Sequence, residues 1–252
     1  MSGFKAFVER FPFQPERSGC IGIERERFLA DADGIYAPRA EEFLRIVGDP
    51  AWTYELSACQ VEDRTDPLRA ENDILKNLKR NDLRGCVAAR SLGLCIVANE
   101  VAPEDMPMDV YPDPRYLKIV EHLKPAALAA ACRVTGTHIH VGVGSWERAF
   151  AVYHELSRHL EELMALGDHS QGLRLRLYCE VAKSWRPPRY ESAEHFFEVA
   201  TAEGFAGNSR NCWHLVRITK HGTVECRMFG AAECSEEVLA WVSRVRAIVG
   251  PG

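Results

Sequence analysis

Four segments that have the composition of β-strands carry pairs of acidic, histidine or arginine side chains. The pairs are Glu24 with Glu26, Glu55 with Glu62, His138 with His140, and Glu225 with Arg227. Successive side chains of a strand point to opposite faces, so residues two apart share a face. Carboxylates on an inward strand face are unfavourable unless a nearby charge or ion neutralises them. A chain with this pattern is constrained to a sheet that has one strongly polar face.

The combination of residue types indicates the chemistry of that face. Carboxylates are hard oxygen ligands that suit Mg²⁺ or Mn²⁺, and one histidine beside them is compatible with either ion. Arginine provides planar, bidentate recognition of phosphate or carboxylate. Acids for a metal and arginines for a phosphate are the requirements of a phosphoryl-transfer site, where catalysis is mostly positioning and charge neutralisation.

Each pair on its own also has a purely structural interpretation. The two glutamates of the GIERERF segment suit a solvated strand face, and the two histidines can be hydrogen-bonded structural residues. Glu225 with Arg227 can form an ion pair at the surface. The occurrence of all four pairs on strand-like segments is what favours a shared site.

Hydrophobic periodicity and turn residues predict the remaining elements. The predicted strands cover residues 19–30, 52–65 (one or two strands), 92–99, 137–144, 212–219 and 223–229. The predicted helices cover residues 38–48, 68–91, 115–132 with a break or kink at Pro125, 146–166 and 235–249. Short connections and the hairpin around Gly222 favour an α+β fold, with a mixed or antiparallel sheet and helices on one face.

Composition places the chain among globular proteins and narrows its partners. It has 252 residues, of which 46% are hydrophobic and 27% charged, which suits one large domain or two small ones. Because no linker stands out, our prediction is a single catalytic domain spanning residues 1–252. The net charge is −5 and no basic run stands out, which argues against a nucleic-acid partner. No apolar run approaches the ~18 residues of a membrane span, and residues 1–13 lack the apolar core of a signal peptide. We therefore expect a cytoplasmic protein with no membrane partner. The nine cysteines match neither a zinc-binding nor a disulfide pattern.

The polar segments resemble, in order, the motifs of the glutamine synthetase and glutamate–cysteine ligase superfamily. The matching stretches are GIERERFLAD, ELSACQVE, GTHIHVGV, NSRNCWHLVRI and GTVECRMFGA, and they span Gly22 to Gly230. Each motif is weak alone, whereas five in the family's order form a fairly specific set. The resemblance covers both the carboxylate–amine ligase branch and the amidoligase branch, between which these motifs do not decide.

The resemblance implies a curved, largely antiparallel sheet like the glutamine synthetase catalytic core, with two Mg²⁺ or Mn²⁺ ions. By this likeness, one ion lies near the substrate carboxylate and is held by Glu24, Glu55 and Glu62. The other lies between the phosphates of ATP and is held by Glu26, His138 and Glu225. The places of the two glutamates of the first strand can be exchanged.

The same resemblance assigns roles to three arginines and a second histidine. Arg217 and Arg227 neutralise the γ-phosphate and the acyl phosphate, and Arg210 does the same or binds a substrate carboxylate. His140 flanks the site as a hydrogen-bonding group and, with Arg217, helps to hold the cofactor ATP.

The implied activity is that of an ATP-dependent carbon–nitrogen ligase similar to glutamate–cysteine ligase. Such an enzyme activates a carboxylate, with glutamate as one candidate, as an acyl phosphate and joins it to an amine. The substrates are small molecules or a peptide, and a homo-oligomer is compatible with the sequence. Two alternatives stay open: a metal-dependent hydrolase built on the two histidines, and a nucleotide-binding module without catalysis.

Overall fold

A seven-stranded antiparallel sheet organises the part of the chain that the computed structural model describes, residues 3–182 and 184–251. The strands are β1 (Ile21–Asp31), β2 (Trp52–Tyr54), β3 (Gln60–Arg64), β4 (Leu94–Val97), β5 (Thr137–Gly142), β6 (Val216–Thr219) and β7 (Thr223–Phe229). Their order is β2-β3-β1-β5-β7-β6, and β4 pairs with the end of β1. This mixed helix and antiparallel sheet architecture confirms the predicted α+β class.

Ten α-helices surround the sheet within the described residues. They are α1 (Gly3–Val8), α2 (Ala40–Val47), α3 (Glu71–Ser91), α4 (Pro114–Val120), α5 (Pro125–Arg133), α6 (Trp146–Arg158), α7 (Leu160–Leu166), α8 (Leu173–Val181), α9 (Ala193–Ala202) and α10 (Ser235–Val249). Among these described helices, none combines the length and the apolarity that a membrane crossing needs. The nine cysteines all lie within the described residues, and none of them is paired in a disulfide.

Alternation along the strands separates an apolar face from a polar one. Ile23 of β1, Ile139 of β5 and Cys226 of β7 are fully or almost fully buried, and their neighbours in sequence point to the other side. The apolar face packs against α3, α6 and α10 in the main hydrophobic core. The strands that carry the acids are therefore anchored from behind by the core.

The two arginines of the GIERERF segment also belong to the apolar face, where they form a buried ion network. Arg25 donates to Asp63 through Nε (3.1 Å) and Nη2 (2.8 Å), and Arg27 donates to the same carboxylate (2.5 Å). Asp63 is fully buried and also accepts from Asn81 of α3 (2.9 Å). This network joins β1 to β3 directly beneath the residues of the polar face.

The structure corrects several predicted helix boundaries. α3 begins at Glu71, three residues later than predicted, and the helix predicted over 146–166 divides into α6 and α7 at His159. The division turns Leu160 and Leu163 into the core against β7. The predicted break at Pro125 is confirmed, since the segment 115–132 forms two helices and Pro125 starts the second. α8 and α9 have no counterpart in the sequence-based prediction.

Candidate active site

The polar face of the sheet forms the floor of a cavity of about 1190 Å³. Six of the seven strands contribute lining residues, and only the short β4 does not. Helices α4 and α8 and the segment 208–213 form the walls of the cavity. All of the candidate residues predicted from the sequence line it: Glu24, Glu26, Glu55, Glu62, His138, His140, Arg210, Arg217, Glu225 and Arg227.

Antiparallel register brings these side chains together. Glu24 of β1 lies opposite His138 of β5, and Glu26 lies opposite Glu62 of β3. On the other side of β5, His140 lies opposite Glu225 of β7. Directly opposed residues of antiparallel strands share a face and have neighbouring Cβ atoms. The pairing of β1, β3, β5 and β7 therefore builds a contiguous acidic floor.

One group of three possible metal ligands consists of Glu24, His138 and Glu225, referred to below as the first triad. The Nδ1 atom of His138 lies 3.3 Å from Glu24 Oε2 and 3.8 Å from Glu225 Oε1. One ligand atom from each residue falls within 4.8 Å of the others. This spacing fits a single divalent cation with oxygen and nitrogen donors.

A second triad consists of Glu26, Glu62 and the same histidine, and its ligand atoms also lie within 4.8 Å of one another. The Nε2 atom of His138 lies 3.7 Å from Glu26 Oε1. Glu55, from the segment after β2, lies beside Glu62 in the cavity and accepts a hydrogen bond from Tyr116 of α4 (3.3 Å). Glu24 thus groups with Glu225, and Glu26 with Glu62, which is the exchanged assignment that the sequence left open.

The second triad and Glu55 carry more negative charge than their surroundings neutralise. Burial, followed by the charges of Glu24 and Glu55, raises the pKa of Glu62 well above its usual range. Burial also raises the pKa of Glu55 and of Glu26, although the charge of His138 opposes the shift at Glu26. A cation stabilises such a group of buried carboxylates. Because the glutamates offer only oxygen donors, they suit a hard cation.

Glu24 has the opposite electrostatic environment. Burial by itself would raise the pKa of Glu24, but the charge of His140 and hydrogen bonds from His138 and His140 outweigh it and hold that pKa well below the usual value. The Nε2 atom of His140 lies 3.5 Å from Glu24 Oε2, and its Nδ1 atom lies 3.0 Å from the Thr223 hydroxyl. This environment favours the charged form of the Glu24 carboxylate, which is the form that binds cations.

Two arginines hold the last member of the first triad. Arg217 of β6 donates to both oxygens of Glu225 (2.6 and 3.0 Å), and Arg227 donates to Oε1 (2.6 Å). Burial opposes ionisation, but the charges of Arg217 and Arg227 outweigh it and keep the pKa of Glu225 well below its usual range. Glu225 is fully buried, so this pair of guanidinium groups is what permits its charge.

Arg210 lies apart from this cluster, at the mouth of the cavity. It is an exposed residue of the short 3-10 turn Ser209–Asn211, and within the described residues its side chain enters no hydrogen bond or ion pair. A guanidinium group without a partner at the entrance can contact an anionic ligand, but it does not touch the buried acids.

Two further residues of the site carry no signal in the sequence. Tyr116 reaches Glu55 only because α4 packs across the cavity, and Arg174 enters the cavity wall from α8. Arg174 is buried, and its charge helps to lower the pKa of Glu26 against the effect of burial. Both depend on helix placement, which no local pattern in their segments indicates.

Comparisons with known proteins identify distant relatives of this chain. No family model matches this sequence. The glutamate–cysteine ligase of Natronomonas pharaonis is 27% identical over 256 residues, which cover 93% of this chain and 70% of that protein. The glutamate–cysteine ligase of Haloferax volcanii is 28% identical over 260 residues, covering 93% of this chain and 71% of that protein.

The fold also has a counterpart among solved structures. A bifunctional glutathione synthetase from Pasteurella multocida superposes with a TM-score of 0.63 at 15% sequence identity, over 94% of this chain and 40% of that one. This chain therefore shares its fold with less than half of that larger protein.

Proposed function

We propose that this chain is an ATP-dependent carbon–nitrogen ligase that joins a carboxylate to an amine through an acyl phosphate. The observation that carries the proposal is the placement of two metal-binding triads around His138, beside two arginines that both contact Glu225. Similarity to two glutamate–cysteine ligases over 93% of the chain supports the same activity. Identification of the substrates would decide between the carboxylate–amine ligase branch and the amidoligase branch of the superfamily.

The donor atoms fit divalent cations of the Mg²⁺ or Mn²⁺ type. The first triad would hold one ion and the second triad, with Glu55, the other. Bound there, such ions would neutralise the charge that develops on phosphate oxygens. Four of the five triad residues are carboxylates and only His138 offers nitrogen, a set that disfavours Zn²⁺ and with it the hydrolase alternative.

The arginines would provide the remaining positive charge during phosphoryl transfer. A carboxylate oxygen of the substrate attacks the γ-phosphorus of ATP, the bond to the β–γ bridging oxygen breaks, and ADP leaves. Arg217 and Arg227 lie beside the first triad, where their N–H groups donate to Glu225. The same N–H groups can donate to phosphate oxygens equally well. The amine then attacks the acyl carbon, phosphate leaves, and the amine proton is lost to solvent or a nearby base.

A hydroxamate assay tests this function directly. Purified protein, MgATP and a panel of small carboxylates, glutamate first, are mixed with hydroxylamine as a surrogate amine. ATP-dependent hydroxamate and an equal amount of ADP are expected with at least one acid. Absence of both products across the panel would overturn the ligase proposal, and tight ATP binding without ADP formation would favour the nucleotide-binding module.

A matched pair of variants separates the site from the scaffold. Glu225→Gln removes the charge that the two arginines and the first triad share, so hydroxamate and ADP formation are expected to disappear. Glu198→Gln makes the same chemical change on the exposed side of α9 and is expected to retain full activity. Equal activity in both variants would remove Glu225 from the site.

A further inference from the structure

Arg174 makes an unusual set of contacts for a charged residue next to an acidic cavity. It is 5% exposed, and all three of its donor groups contact backbone carbonyls. The Nε atom donates to Thr135 (2.6 Å), Nη1 to Met228 (3.3 Å) and Nη2 to Arg227 (3.2 Å). A planar guanidinium group has donors in a fixed geometry, so three such contacts fix the relative positions of the carbonyls.

Two of these carbonyls belong to an irregularity in β7. Thr137 pairs with Phe229, and Ile139 pairs with Cys226. Between these two pairs lie one residue of β5 and two residues of β7. Two residues of β7, Arg227 and Met228, therefore oppose His138 alone, which is the definition of a β-bulge. A bulge leaves backbone groups without ladder partners and changes the direction of a side chain. Arg174 supplies the partners for both carbonyls of this bulge.

The third contact ties the bulge to the first strand. Gly136 follows Thr135, and its carbonyl accepts a hydrogen bond from the Glu26 amide (2.9 Å). A side chain at position 136 would place its Cβ atom 2.2 Å from Arg174 Nη2, so the guanidinium group occupies the space that only glycine leaves free. The Arg174 side chain thus fixes the position of two backbone segments, the one that carries Arg227 and the one that pairs with Glu26.

We propose that Arg174 is a positioning residue that fixes the bulge of β7 so that the Arg227 guanidinium group faces the transferred phosphoryl group. The role rests on the proposed ligase function, and Arg174 itself need not touch either substrate. Misplacement of a charged group by about 1 Å lowers a rate by about 100-fold. We therefore expect Arg174→Lys, which offers one ammonium group in place of a three-donor plane, to lower kcat by about 100-fold while the KM for MgATP changes by less than about threefold.

The matched control lies on the same helix. Arg176 is exposed, and among the described residues its side chain donates only to the Gln171 carbonyl (3.2 Å) in its own segment. Arg176→Lys is therefore expected to leave kcat and KM unchanged. Gly136→Ala provides a second test, since it keeps the charge of Arg174 and places a Cβ atom against both the guanidinium group (2.2 Å from Nη2) and the Phe229 carbonyl oxygen at the edge of the bulge (2.9 Å). If Arg174→Lys does not fold, Gly136→Ala is expected to show the same loss of kcat.

A double-mutant cycle with Arg227→Lys distinguishes positioning from general stabilisation. If Arg174 acts through Arg227, Arg174→Lys causes less than about a threefold further loss of kcat in the Arg227→Lys background, because coupled residues are not additive. Full additivity, or an unchanged kcat in folded Arg174→Lys and Gly136→Ala proteins, would overturn the proposal.

Hydrogen exchange separates failure of this proposal from failure of the ligase function. Arg174→Lys is expected to speed amide exchange by about tenfold in peptides covering 134–138 and 226–229, and Arg176→Lys is expected to have no effect there. A wild-type protein without ATP-dependent turnover overturns the ligase function, whatever the exchange result. Unchanged exchange in the Arg174 variant overturns the anchoring of the bulge, even in an active enzyme.

Discussion

Glu26 of β1 and Glu62 of β3 are directly opposed in the antiparallel register, on the cavity side of the sheet. Like charges in this position repel each other. Burial and the neighbouring glutamates raise the pKa of Glu62 well above its usual range. Each of the two carboxylates therefore disfavours the ionisation of the other, and a proton or a cation between them would relieve the repulsion.

Glu62→Gln is expected to stabilise the metal-free protein and to reduce its response to metal. Loss of one buried charge raises the melting temperature in chelator by about 3 °C, the shift that about 1 kcal/mol produces in a domain of this size. Addition of MnCl₂ is expected to raise the melting temperature of the wild type by mass action and that of Glu62→Gln much less. Thermal unfolding with and without the metal measures both effects.

Glu198→Gln is the control for this change, because Glu198 is an exposed residue of α9 away from the cavity. Its melting temperatures should follow those of the wild type under both conditions. A Glu62→Gln protein that melts below the wild type in chelator would show that Glu62 is a stabilising partner and not one of two opposed charges.

The polar face of the sheet was predictable because alternation is local. The period-2 patterns of GIERERF and THIHVGV predict which side chains share a face, and the structure brings those side chains into one cavity. The same alternation sends Arg25 and Arg27 to the opposite face, where Asp63 binds them. No local pattern reveals that partner, since it depends on the pairing of β1 with β3.

The register of the strands and the placement of the helices were not predictable from one sequence. Resemblance to the ligase family suggested which acids form a site, yet the grouping of Glu24 with Glu225 follows from pairings along β5. Tyr116 and Arg174 enter the cavity from helices whose packing is set by contacts distant in sequence. Helix α8 escaped prediction because its apolar residues do not form a distinct stripe.

Removal of Arg227 and removal of Arg210 are expected to differ in their effect on stability. Arg227→Gln leaves the fully buried Glu225 with Arg217 alone, which destabilises the protein by about 2 kcal/mol. Arg210→Gln breaks no contact within the described residues and changes the free energy of unfolding by less than about 0.5 kcal/mol. Urea unfolding of both variants checks the contrast, and equal destabilisation would contradict the assigned contacts.

The stability of the protein is expected to fall as the pH decreases below about 6.5 through the titration of His214. Burial lowers the pKa of His214, although the Glu203 carboxylate, 2.9 Å from Nε2, opposes the shift. Between the two pKa values the unfolded chain binds the proton and the folded chain does not, so unfolding becomes easier as the pH falls. The stabilisation by neutral His214 is therefore fully present above the pKa of this residue in the unfolded chain, and it is lost as the pH falls through the folded pKa.

Urea unfolding at pH 7.5 and 5.5 measures this effect as a difference between proteins. Between pH 7.5 and 5.5, the free energy of unfolding of the wild type is expected to fall by about 1 kcal/mol more than that of His214→Gln. His122→Gln, a change at an exposed histidine, is expected to behave like the wild type. If His214→Gln shows the same pH dependence as the wild type, another group causes it.

The two candidate metal-binding triads share His138, and the chemistry of imidazole indicates which of them would use it. A neutral imidazole ring offers one nitrogen lone pair, so only one cation can be bound without loss of the second ring proton. The second triad has Glu55 as an additional carboxylate beside Glu62. The first triad has only Glu24 and Glu225 besides the ring. We therefore expect His138 to bind the cation of the first triad through Nδ1.

His138→Asn is accordingly expected to weaken one of two Mn²⁺ sites and to spare the other. Titration followed by electron paramagnetic resonance is expected to give two bound Mn²⁺ ions per wild-type chain. In the variant, the affinity for one of the two ions is expected to fall by at least about tenfold, because loss of a direct ligand exceeds the effect of an outer-sphere change. Glu225→Gln should weaken the same ion and Glu62→Gln the other, so the three variants assign each site. Equal weakening of both ions by His138→Asn would instead mean that the ring bridges the two cations, with Nδ1 facing the first triad and Nε2 the second.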